Sequence, residues 1–126
     1  MLLWFDRHDP ALGKGAIDSV AEALAVDEAS VSAMTFWEIA LLTGKRRVAL
    51  SLPLQHWRRD FLAQGLLEVS VTGGIGIAAA ELRGFHADPS DRIIVATACE
   101  LDATLLTADR RILGWPGDLR RQDARR

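Results

Sequence analysis

The chain has 126 residues, 49% of them hydrophobic and 25% charged, so it is long enough to bury a core and is expected to form one domain over 1–126. A formal net charge of -2 excludes a partner held by a global basic field. One cysteine, Cys99, excludes an intramolecular disulfide and fits a reducing, cytoplasmic setting.

The opening Met1-Leu2-Leu3-Trp4-Phe5 is apolar but lacks a basic leader, reaches Asp6 too soon for a signal peptide, and offers Trp4 as a helix residue. No apolar run approaches the roughly 20 residues of a membrane span. Pro10 and Gly13 mark a turn, and 16–26 then spaces apolar residues as a helix does. Residues 29–32 read as a short strand, and 33–43 as a helix stopped by Gly44 and the basic run Lys45-Arg46-Arg47. Leu52, Leu54, Trp57, Phe61 and Leu62 space a second amphipathic helix, ended by Gly65. A strand over 66–71 is broken by Gly73-Gly74, and 75–82 is a compact helix closed by Gly84.

Asp88-Pro89-Ser90-Asp91 opens the best-signalled helix: an N-cap aspartate, proline at the first position and an acid in the first turn. It runs to about Asp102. A strand over 103–107, a short helix over 109–113 and a basic, weakly patterned tail complete the chain. Strands alternating with helices, with connections too long for hairpins, predict a mainly parallel sheet covered by helices. In such folds the carboxyl ends of the strands meet along one edge, where chemistry gathers.

Three acids then claim attention. Each has a structural explanation: Glu38 completes a Thr35-Phe36-Trp37-Glu38 capping box, Asp91 compensates a helix dipole and Asp109 caps a short helix. Together they follow strands, or open a helix, at one sheet edge. Converging carboxylates repel one another and raise their own pKa values, and a hard divalent cation with oxygen ligands removes the conflict. With no cysteine nearby and no histidine at ligand spacing, zinc is disfavoured.

The ordered series Ser32-x-x-x-x-Trp37-Glu38-Ile39, His86-Ala87-Asp88-Pro89-Ser90-Asp91-Arg92-Ile93-Ile94 and Leu105-Leu106-Thr107-Ala108-Asp109 resembles the PIN-domain family, in particular its VapC-type toxins of toxin–antitoxin pairs. The resemblance covers 2–115. It implies a Rossmann-like α/β/α sandwich, a metal-dependent endoribonuclease acting on RNA, a cognate antitoxin and a homodimer. It also implies that Glu38, Asp91 and Asp109 hold Mg²⁺ or Mn²⁺. Thr107 would stand beside them as a polar support, and so would Asp88, whose N-cap context favours capping. Arg110 and Arg111, next to Asp109, are the candidate RNA-backbone contacts.

The chain departs from the family at its start. Members place a hydrophobic strand ending in aspartate just before the Leu-Leu-Trp found here at residues 2–4, so that central strand is expected to be missing and its neighbours to keep unpaired backbone groups. Asp6 and Asp9 match no family position. The alternative reading is a catalytically inactive PIN-like remnant that only binds an antitoxin or a sister subunit. The final short strand of the family has a poor counterpart in Trp115-Pro116-Gly117-Asp118-Leu119.

The remaining candidates have plainer readings. Trp37 and Trp57 are expected in the core, Trp115 in the core or an interface, and Cys99 as a buried inert thiol. His86 is read as a hydrogen-bonded surface histidine rather than a general base, and His8 and His56 belong to no constellation. Lys45-Arg46-Arg47 and Arg58-Arg59 are read as solvated, and Arg92 as the partner of a neighbouring carboxylate.

Overall fold

The structure is a computed structural model that describes residues 9–126. The readings of Trp4, Asp6 and His8 lie outside the described residues. In chain order the elements are α1 (Lys14–Ala25), β1 (Ser30–Ser32), α2 (Ala33–Gly44), α3 (Leu54–Ala63), β2 (Leu67–Val69), α4 (Gly73–Glu81), α5 (Pro89–Glu100), β3 (Leu105–Thr107), α6 (Arg110–Leu113) and β4 (Arg121–Asp123).

Local chemistry explains the boundaries. Ser32 caps α2 by accepting from the Met34 amide, Thr72 caps α4 through the Ile75 amide, and Asp88 caps α5 through the Ser90 and Asp91 amides. Gly65 and Gly84, just past α3 and α4, adopt φ of 106° and 66°, which favour glycine. Because Ser32 is the cap of α2, Thr35 and Glu38 lie inside the helix. The capping-box reading of Glu38 is therefore overturned, and its carboxylate is released for other contacts.

The strands form two parallel pairs. β1 runs beside β2 with Val31 opposite Glu68, and β3 beside β4 with Leu106 opposite Gln122. The expected parallel sheet is thus present as two separate two-stranded sheets among the described residues. β4 falls a few residues beyond the 115–119 segment that made a poor strand. Its sequence, Arg121-Gln122-Asp123, carries no apolar alternation, so backbone pairing to β3 rather than side-chain pattern defines it.

Helices cover both faces. Along β3, Leu105 packs with Phe85, Val95, Ala98, Ile112, Trp115 and Leu119, whereas its neighbour Leu106 packs with Leu12, Ala16 and Ala124. Successive strand residues point to opposite faces, so α5 lies on one side and α1 on the other. A further cluster joins Phe36 and Ile39 of α2 to Trp57 and Phe61 of α3, and another joins Ile75 and Ala79 of α4 to Ala96 of α5. Val95 at the middle of α5 is fully buried.

Two arginines hold the loops between these elements. Arg92 donates to the carbonyls of Ala79, Leu82, Phe85 and His86, at 2.9 to 3.3 Å, and not to a carboxylate as expected. The turn after α4 ends with several carbonyls lacking helical partners, and one guanidinium satisfies them together. Arg121 does the same for Ile112, Trp115, Gly117 and Leu119. At the other end of the chain, the Gly13 and Gly15 amides donate to the carbonyls of Ala124 and Arg126. A Cβ on Gly13 would stand 2.2 Å from the Arg126 carbonyl carbon, so this close approach requires glycine.

Three burial expectations divide. Trp57 is buried and Trp115 joins the core, its indole N–H donating to the Arg83 carbonyl. Trp37 is 53% exposed, because α2 turns Phe36 and Ile39 inward and Trp37 away from them. Cys99 is exposed as well, since α5 buries the stripe 95–98 and the chain then rotates Cys99 and Glu100 outward. Among the described residues no helix is long and apolar enough to cross a membrane.

Candidate metal centre

The carboxyl ends of β1 and β3 deliver their following residues to one place. α2 follows β1 directly and carries Glu38. Thr107 ends β3, is buried, and accepts the Asp109 amide at 3.1 Å, fixing the turn that presents Asp109. α5 enters from the Arg92-braced loop and presents Asp91 in its first turn. Glu38, Asp91, Thr107 and Asp109 all line one cavity of about 760 Å³.

Within it, Asp91, Asp109 and His86 offer ligand atoms that all lie within 4.8 Å of one another. His86 Nε2 is 3.2 Å from Asp91 Oδ2 yet buried without a hydrogen-bond partner, so the two are close but misaligned. Glu38 stands at the margin, where its carboxylate accepts a short hydrogen bond from the Ser90 hydroxyl. Two of the three expected ligands therefore meet, the third is beside them, and a histidine read as a surface residue joins the group. The short Asp-Pro turn folds the chain back between His86 and Asp91, which sequence separation alone did not reveal.

Electrostatics agree with this crowding. Burial, then the charges of Asp88, Asp109 and Glu38, push the Asp91 carboxyl up to about 6, and His86 offsets this only in part. Burial also acts upward on Asp109, but hydrogen bonds from the Arg111 side chain and amide outweigh it and hold this acid below the ordinary value. The Arg111 guanidinium spans the pair, 3.1 Å from Asp109 Oδ2 and 3.3 Å from Asp91 Oδ2. It leans chiefly on Asp109, which it meets through both Nε and Nη2, so Asp91 keeps most of its repulsion. Arg111 was expected to face RNA phosphate and instead bridges these carboxylates. Arg110 beside it is exposed. Asp88 caps α5 and reaches the site through its charge alone.

Comparison with known proteins decides the family. The PIN domain family matches residues 4–114. The chain belongs to the PIN-domain family. This PIN domain is 33% identical over 110 residues to Ribonuclease VapC22 of Mycobacterium tuberculosis, covering 86% of the chain and 82% of that protein. The VapC-type resemblance and the α/β class read from the motifs both hold. No solved structure matches the chain.

The donor set suits a hard divalent cation. Two half-buried carboxylates, one of them destabilised by its neighbours, an unpartnered buried imidazole nitrogen and a guanidinium lying across the acids all mark a place where positive charge is favoured.

Proposed function

We propose that this PIN domain is an endoribonuclease that hydrolyses RNA phosphodiester bonds with Mg²⁺ or Mn²⁺. In this reading it is the cytoplasmic toxin of a toxin–antitoxin pair, a homodimer held inactive by its cognate antitoxin. The observation that carries the reading is the convergence of Asp91 and Asp109 beside Glu38, with Asp91 pushed up to about 6 by acids with which it shares a confined space. The ribonuclease named among its relatives supports the choice of substrate.

Asp91, Asp109 and Glu38 would hold the ion, with His86 as a further donor. When bound, the ion neutralises charge on the scissile phosphate and lowers the pKa of an attacking water. Thr107 fixes the Asp109 turn, and Ser90 orients Glu38 through its hydroxyl. Arg110, exposed at the start of α6, contacts the RNA backbone. Arg111 pairs chiefly with Asp109 without metal and turns toward phosphate when a cation takes its place. The expected result is divalent-dependent RNA cleavage that EDTA abolishes and that Asp91→Asn or Glu38→Gln reduces at least about 100-fold. Equal cleavage by these variants would refute the assigned site.

A second reading is a catalytically inactive module that binds only an antitoxin or sister subunit. Arg111 favours it, because its guanidinium already pairs with Asp109 and reaches Asp91 without an ion. Antitoxin capture by a protein with no divalent-dependent cleavage would select this reading.

A further inference from the structure

His86 has one ring nitrogen engaged and one unanswered. Its Nδ1 accepts the Asp88 amide at 3.4 Å, a long bond but one that only an unprotonated nitrogen receives. A neutral imidazole then carries its proton on Nε2, because the bond made at one ring nitrogen decides the state of the other. What His86 offers the acids is therefore an N–H and not a lone pair. The ring is held in place from several sides. It lies on Phe85 with centroids 4.4 Å apart, Phe85 packs edge-on against Trp115, and Arg92 Nε donates to the His86 carbonyl at 2.9 Å. Nε2 is buried and without a hydrogen-bond partner among the described residues, and a donor buried without an acceptor is costly. An acceptor stands close by, since Asp91 Oδ2 is 3.2 Å away. The same oxygen receives Arg111 Nη2 at 3.3 Å, so two donors compete for it.

We propose that His86 is a positioning residue for Asp91, a role that presupposes the divalent metal centre. When Arg111 withdraws, the His86 Nε2–H takes Asp91 Oδ2 for itself. The carboxylate turns into line with the ring, and its other oxygen is left for the cation. His86 thus works through the acid and not on the metal, and the protein ligands are all oxygen, as suits Mg²⁺ or Mn²⁺. Without the N–H the carboxylate is free to rotate, and a wandering ligand binds more weakly.

The test uses the full chain. In the metal-free protein, nitrogen NMR of the His86 ring is expected to place the proton on Nε2, and a proton on Nδ1 would overturn the proposal. Two variants then separate the N–H from the ring. His86→Phe keeps the stack on Phe85 and loses both nitrogens, whereas His86→Gln supplies an amide N–H in place of Nε2–H. Calorimetric titration with Mn²⁺ is expected to show affinity about 10–100-fold weaker in His86→Phe and close to wild type in His86→Gln. Electron spin echo spectra of the Mn²⁺-loaded wild type are expected to show no directly bound nitrogen. A bound nitrogen, undiminished affinity in His86→Phe, or equal loss in both variants would each overturn the role. Asp91→Asn tells this failure from that of the metal centre. Affinity lost in Asp91→Asn but kept in His86→Phe removes the role of His86 alone. Affinity kept in Asp91→Asn, or no Mn²⁺ uptake by the wild type, removes the metal centre and this role together.

Discussion

Replacing Asp91 by asparagine should make the metal-free protein more stable, by an amount that depends on pH. The Asp91 carboxyl stands at about 6 in the folded chain, against 3.8 for an unperturbed aspartate. A folded pKa above the unfolded one means that the native state prefers the protonated acid. Below about pH 4 the group therefore brings no penalty, and the penalty grows as pH rises through about 6. Roughly two units correspond to about 3 kcal/mol at neutral pH, and partial solvent access leaves an estimate of about 2 kcal/mol. For a domain of this size that is roughly a 5–10 °C rise in Tm. Thermal unfolding in EDTA at about pH 8, 6 and 4 should show the Asp91→Asn advantage shrinking to nothing. Saturating Mg²⁺ should reverse the ranking, because the wild-type chain alone gains binding free energy. A variant less stable than wild type at the highest pH in EDTA, or a gain undiminished in acid, would refute the crowding argument.

Other outcomes follow from contacts already described. Arg111→Ala should tighten Mn²⁺ binding several-fold in a calorimetric titration, since the guanidinium competes for Asp91 and Asp109, while weakening retention of RNA. Glu68 accepts both 2.7 Å bonds from Arg58, which hold its carboxyl below the ordinary value. That stabilisation is present above about pH 4.5 and lost as pH falls through the lowered folded pKa, so Glu68→Gln should be less stable than wild type in urea at neutral pH and equal to it in strong acid. Arg92→Lys keeps the charge but not the planar fork, and denaturant unfolding should show a loss of about 2 kcal/mol with greater mobility of the turn bearing His86.

The sequence made the element order legible because each boundary has a chemical signal: Pro89 after the Asp88 cap, Gly65 and Gly84 in the left-handed region, Gly73 after the strand at Leu67–Val69. What stayed hidden depended on tertiary contacts. β4 has no hydrophobic pattern and exists through its pairing with β3. Trp37 sits in a strongly apolar helix, where composition suggested the core and helical phase decided otherwise. In the site, Asp91 and Asp109 were visible because Asp91 opens a well-capped helix and Asp109 follows a strand. His86 was not, since its approach to Asp91 arises from a turn that Arg92 gathers around its guanidinium. Glu38 was visible, but the structural role considered for it was wrong: its partner is Ser90 of α5 rather than the start of its own helix.

The loop-holding arginines change what an approaching polyanion encounters. Arg92 and Arg121 have their N–H groups occupied by main-chain oxygens and Arg58 is paired with Glu68, so none of the three offers free donors to a phosphate on a chain of net charge -2. Few condensed counterions would be displaced from RNA on association, and affinity should fall only gently with ionic strength. A log–log slope of about -1.4 to -2.1 corresponds to two or three phosphates neutralised on a single strand. Recognition on such a surface rests on the shape of the substrate and on the few groups around the acidic cavity, not on long-range attraction.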